Sequence, residues 1–186
     1  MRTIEPKAKY QMATDRFPSY DDAPRAFFAL DGNCGPVSVW MLLRHFHRRT
    51  SSERIIRLCR YTKRHGTFTI ALALREHGSR VNFHTEVDPA PMPIERRLYK
   101  TAEKSGVIRG EALRVDELLD RIRGGEVAIV CFDTDTVDGH FSPLIGVEQD
   151  RLILPYTDQG GMDVEEFERR WTAPGICRQC VFAVRE

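Results

Sequence analysis

The apolar residues of this chain recur at helical spacing up to residue 77, change to a spacing of two over Val81–Val87, and after two more helical patterns fall mostly in strand-like runs from residue 127. That change of period leaves few architectures open. Val37, Met41, Leu42 and Phe46 fall on one helical stripe, widened by Trp40 and Leu43, with Pro36 in the first turn where its missing N–H costs nothing. Thr50-Ser51-Ser52-Glu53 has the form of a capping box opening a second helix through Ile55, Ile56 and Cys59 that ends near Gly66. A third helix over Thr69–His77 stops at Gly78. Val81, Phe83, Thr85 and Val87 then alternate with polar residues as a strand does, before two more helical patterns at Ile94–Lys104 and Asp116–Arg123. The unbroken run Val127–Phe132 predicts a central strand. Phe141–Val147 and Arg151–Leu154 predict a hairpin around Glu148-Gln149-Asp150; Asp163 caps a helix over Val164–Trp171, and Val181–Val184 closes the chain as a strand. Helices first and a mostly antiparallel sheet second is an α+β order, not a βαβ alternation.

A length of 186 residues suits one domain. Residues 1–25, polar and marked by Pro18, Pro24 and Asp21-Asp22, read as an extended lead-in to a domain over 26–186. Composition excludes collagen, coiled coil and full-length disorder: 41% of residues are hydrophobic and 30% charged. No apolar run approaches the roughly 18 residues of a membrane helix, so no membrane partner is expected. The N-terminus lacks the apolar stretch of a secretory signal. Twenty-eight basic against 27 acidic residues give a net charge of +1, which supplies no general attraction to nucleic acid. Five cysteines, an odd number without an export signal, predict reduced thiols and a cytoplasmic setting.

Cys34 stands at the start of the first apolar helix, in Asp31-Gly32-Asn33-Cys34-Gly35-Pro36. Free N–H groups and the partial positive charge of a helix N-terminus favour thiolate, the nucleophilic form, and the adjacent glycines admit a substrate backbone. A small buried hydrophobe is the alternative role for such a cysteine. A thiolate needs a base or cationic partner. Of six histidines, His45 and His47 lie at least three turns along the same helix, His65 and His77 sit beside helix-ending glycines, and His84 is on a strand's polar face. His140 follows Gly139, ends the acidic loop Asp133–Asp138 and opens a strand, where a sheet would hold it rigidly.

These residues resemble the papain-like cysteine peptidases, above all the bacteriocin-processing type that cleaves leader peptides after a double glycine. Cys34-Gly35-Pro36 opening a helix and Gly139-His140-Phe141 entering a strand carry the resemblance, and Val164–Phe167 with Trp171 resembles the closing helix; about residues 25–185 are covered. The resemblance implies a papain-like α+β fold with the nucleophile helix packed on an antiparallel sheet. It also implies Cys34 as nucleophile, His140 as base, Asp158 as the group orienting the histidine, no cofactor, and a peptide or protein substrate in a bacterial cytosol. The group's glutamine oxyanion donor, six or seven residues before the cysteine, is replaced by Phe27 and Phe28, and the nearest upstream glutamine is Gln11. Asn33 with the Cys34 N–H can stand in, with Gly35 and Gly139 beside them. Asp158 lies about two residues beyond the usual place of the orienting residue.

The expected chemistry is acyl transfer through a thioester. Water as second nucleophile gives a peptidase or amidohydrolase, and an amine gives a transglutaminase-type ligation. A deamidase, and a catalytically inactive papain-like domain that binds a peptide, remain open. Cys177-Arg178-Gln179-Cys180 has metal spacing but no second pair, so core or turn thiols and no metal are expected. Eight basic residues against Glu53 between Arg44 and Arg64 could attract phosphates, but a solvated helix face is the commoner meaning, and nucleic acid is not expected. Asp133, Asp135 and Asp138 lack the glycine and final glutamate of a calcium loop.

Overall fold

A computed structural model describes residues 17–59, 66–88, 91, 93–135 and 139–185, with 158–160 as backbone only. Four helices come first: α1 (Arg25–Phe28), α2 (Cys34–His45), α3 (Ser52–Cys59) and α4 (Gly66–Glu76). β1 (Ser79–Thr85), α5 (Pro93–Lys104), β2 (Ile108–Glu111) and α6 (Val115–Arg123) follow. The strand-rich stretch holds β3 (Ala128–Phe132), β4 (His140–Leu144), β5 (Gly146–Glu148), β6 (Arg151–Leu154) and β7 (Asp158–Asp163). It ends in α7 (Val164–Trp171) and β8 (Cys180–Arg185).

β2-β1-β8-β3-β4 form one sheet, antiparallel throughout except for the β1–β2 pair, and β5-β6-β7 form a second, antiparallel one. The last strand therefore sits in the middle of the larger sheet, between β1 and β3. Both faces of that sheet are covered, which is why β3 is buried at every position and reads as an unbroken apolar run. Ile129, Val181 and Ala183 face the core built on α2 to α5, while Val130, Phe132, Cys180 and Phe182 face a second core with α6, α7 and the smaller sheet. α2 is buried from Gly35 to Leu43, on all its sides rather than along one stripe, because β4, α3 and α4 surround it. α7 anchors the second core: Trp171 is fully buried, stacks on Phe167 at 5.5 Å and donates its indole N–H to the Gln179 carbonyl. Trp171→Ala should cost about 3–5 kcal/mol, visible as a lower urea midpoint.

Several expectations need correction. The run Phe141–Val147 is not one strand of a hairpin. β4 pairs with β3, the chain breaks register at Ile145, and only β5 pairs with β6. Pro143, which has no N–H to donate, is tolerated because β4 is an edge strand. Residues 158–163 form β7, a strand that the apolar pattern does not mark. Gly161, at φ +78°, lies so close to β6 that a Cβ would stand 2.9 Å from the Leu152 carbonyl oxygen. Asp163 precedes α7 but makes no side-chain cap, pairing instead with Arg151. Ser51 rather than Thr50 caps α3, accepting from the Arg54 N–H, and Thr50 bonds the His77 ring. β2 escaped the sequence pattern because it is four residues long and mostly exposed. Within the expected lead-in, residues 1–16 lie outside the described residues; Phe17 and Ala23 are buried, and Tyr20–Asp22 form a 3₁₀ turn. Among the described residues no helix is long and apolar enough to cross a membrane.

Candidate active site

β4 is an edge strand, so alternate residues turn both their N–H and C=O away from β3. At Phe141 these groups meet α2: the N–H bonds the Cys34 thiol, and the C=O accepts from Ser38 Oγ at 3.3 Å. The Phe141 ring lies against the first turn of α4, where a Cβ on Gly66 would come within 2.5 Å of it. This clamp fixes the mouth of β4, and hence His140, against the start of α2. Cys34 is half-buried in a groove of about 950 Å³, lined also by Gly35, Gly66, Gly139, Phe141, Ile176 and Gln179.

Burial pushes the Cys34 thiol above its ordinary pKa. Backbone N–H groups of Phe141, Gly35 and Cys34 itself pull the other way but do not outweigh it. The thiol, not the expected thiolate, is therefore the resting form, because β4 packs over the helix start and takes part of the sulfur out of water.

His140 follows Gly139, whose φ of +84° turns the chain into β4. Its ring stacks on Tyr156 at 5.2 Å and meets the edge of Phe132 at 5.5 Å. Nε2 is bonded to Thr157 Oγ1 at 2.9 Å. Burial lowers the imidazole to about 4, so the ring is neutral near pH 7. Tyr156, whose phenol is pushed up by burial, donates its O–H to Asn33 Oδ1 at 2.9 Å. Its ring also meets Tyr20 edge-on at 4.9 Å.

Cys34, Asn33, Gly35, Gly139 and His140 are thus gathered where α2 meets β4. Asp158 opens β7 opposite Leu154, but its side chain lies outside the described residues. The residue on His140 is Thr157, which takes Nε2. Phe141, Tyr156 and Thr157 were missed as site residues. Charge singles out Asp158 within 155–158, whereas the family spacing itself falls near Tyr156-Thr157.

His45, His77 and His84 have structural surroundings. His45 meets the Phe17 ring at a tilt, His77 bonds Ala73 O and Thr50, and His84 bonds Glu111 O and Arg121. Burial pushes Cys59 and Cys180 up to about 12 and raises Cys131 as well. Cys177 is half-buried with φ 56°, and Cys180 is in the core; among the described residues no three ligating side chains cluster as a metal site would require. In the acidic loop Asp135 pairs with Arg170, and 136–138 lie outside the described residues, as do 60–65 of the basic strip.

No protein-family model and no curated protein matches the sequence. Solved structures do match. The peptidase domain of Streptococcus ComA, a bi-functional ABC transporter involved in a quorum-sensing pathway, aligns at a TM-score of 0.56 and 15% identity over 84% of this chain and 95% of that one. A double glycine motif protease from an AMS/PCAT transporter, solved with its leader peptide, aligns at 0.53 and 16% identity over 82% of this chain and 84% of that one. The chain has the α+β, papain-like fold of these domains.

Proposed function

We propose that the groove is the substrate site of a cysteine peptidase-like enzyme acting on peptide or protein amides, with Cys34 as nucleophile and His140 as general base. The observation that supports it best is the Phe141 clamp, which sets the residue after His140 directly on the Cys34 thiol. In this reading the resting pair is neutral thiol and neutral imidazole. As sulfur attacks the carbonyl carbon, its proton passes to His140 and the carbonyl electron pair moves to oxygen. Collapse breaks the C–N bond, His140 returns the proton to the leaving amine, and water then hydrolyses the thioester. Asp158, next to Thr157 in the chain, is proposed to support the His140 imidazolium through its charge and not by a hydrogen bond to the ring; Asp158→Asn should slow turnover about tenfold, read by steady-state kinetics.

The fold neighbours support a peptide substrate carrying Gly-Gly before the scissile bond. Free cysteines throughout support a reducing, cytoplasmic setting. The test is hydrolysis of a leader-like peptide ending in Gly-Gly-aminomethylcoumarin. A second reading, an inactive peptide-binding domain, draws on Phe27 and Phe28: at the glutamine positions the first is buried and the second meets Tyr20 edge-on, so neither offers an oxyanion donor. Binding of that peptide without any cleavage would favour it.

A further inference from the structure

We propose that the Tyr156-Thr157 dipeptide positions both parts of the machinery, Thr157 acting through His140 and Tyr156 through Asn33. The proposal rests on the reading of Cys34 and His140 given above. The two residues occupy the turn between β6 and β7, where the Thr157 N–H returns to the Leu154 carbonyl at 3.0 Å.

Thr157 Oγ1 lies 2.9 Å from His140 Nε2. A hydroxyl both donates and accepts, so it holds the ring when neutral and, as acceptor, when protonated. With Nε2 occupied, Nδ1 is the nitrogen that takes the proton from Cys34 Sγ. A threonine adds no charge, which agrees with a ring kept neutral until attack begins.

Tyr156 serves the oxyanion side. An asparagine at a helix N-cap ordinarily binds the N–H groups of the first turn. Asn33 is the N-cap residue of α2, yet its side chain makes no cap; its Oδ1 accepts from Tyr156 instead. That bond takes up the amide oxygen and leaves the Nδ2 hydrogens to donate. Asn33 Nδ2 and the Cys34 N–H then form a donor pair on consecutive residues, replacing the glutamine that the sequence lacks. The Tyr156 ring also stacks on His140 and is held by Tyr20, so one side chain touches both the base and the donor.

Two reactions separate the roles. Hydrolysis of the Gly-Gly-aminomethylcoumarin peptide develops an oxyanion, whereas alkylation of Cys34 by iodoacetamide does not. Thr157→Val should lower kcat about 10–100-fold with KM within about twofold, slow alkylation by a similar factor, and alter its pH profile. Thr157→Ser should restore both to within about threefold, and Thr157→Ala replaces the valine variant if that one does not fold. Tyr156→Phe keeps the stacking, and Asn33→Ala keeps the turn. Each should lower kcat about 10–100-fold while alkylation is unchanged, and the double variant should be no slower than Asn33→Ala alone. Equal slowing of both reactions by Tyr156→Phe, slowing of neither, or wild-type rates in Thr157→Val would overturn the proposal. Hydrolysis that persists in Cys34→Ala would instead overturn the underlying reading.

Discussion

Cys34→Ala is expected to lower hydrolysis of the Gly-Gly-aminomethylcoumarin peptide by at least about 10³-fold while leaving the fold intact. The loss follows from chemistry: without sulfur no thioester forms, and no other thiol stands at the start of α2 on the Phe141 N–H. Cys59, Cys131 and Cys180 are buried, with pKa values far above neutrality, and Cys177 is raised too. Structure should survive because the substitution removes one sulfur from a half-buried position. The Phe141 N–H loses a partner, a cost of about 1 kcal/mol that thermal unfolding would register. Cys34→Ser should be nearly as inactive, since a hydroxyl gives up its proton far less readily than a thiol and this site is built around the larger sulfur.

His140→Ala should lower turnover by about 10²–10⁴ and also change how stability depends on pH. The ring's pKa is about 4 in the folded state against an ordinary 6.5 for an exposed histidine, so the unfolded chain binds the proton first as pH falls. Stability contributed by the neutral ring is therefore complete above pH 6.5 and is lost between 6.5 and about 4. The shift bounds that loss at about 3 kcal/mol. His140→Ala should flatten the slope without abolishing it, because His45 and His84 are lowered in the same direction. Urea unfolding of both proteins across that range measures the difference. Wild-type turnover should keep its acid limb near pH 4; a limb near 6.5 would show that the ring is protonated much more readily than its burial implies.

Most of the fold was legible because its signals are local. Pro36 and the apolar spacing mark α2, the apolar run marks β3, and the Val164–Trp171 pattern marks α7. The failures are tertiary. Nothing in Phe141–Val147 announces that the chain leaves one sheet for another at Ile145, since both halves are apolar and buried behind Phe141. β7 carries two glycines, normally a turn signal, and Gly161 here allows close approach to β6. The site divides in the same way. Cys34 and His140 could be picked out by what flanks them, a helix start and a strand mouth. Thr157 and Tyr156 act through neighbours 17 and 123 residues away, contacts that only the folded chain creates. The thiol's protonation was misjudged for a related reason: a helix N-terminus is visible in sequence, but the strand that buries it is not.

The central claim is that Cys34 is the residue that attacks an acyl carbon. Intact-mass analysis and peptide mapping after incubation with a peptidyl Gly-Gly acyloxymethyl ketone test it most directly. One adduct per chain is expected, on Cys34, lost in Cys34→Ala and strongly slowed in His140→Ala. An adduct on Cys177, or one that persists in Cys34→Ala, would contradict it.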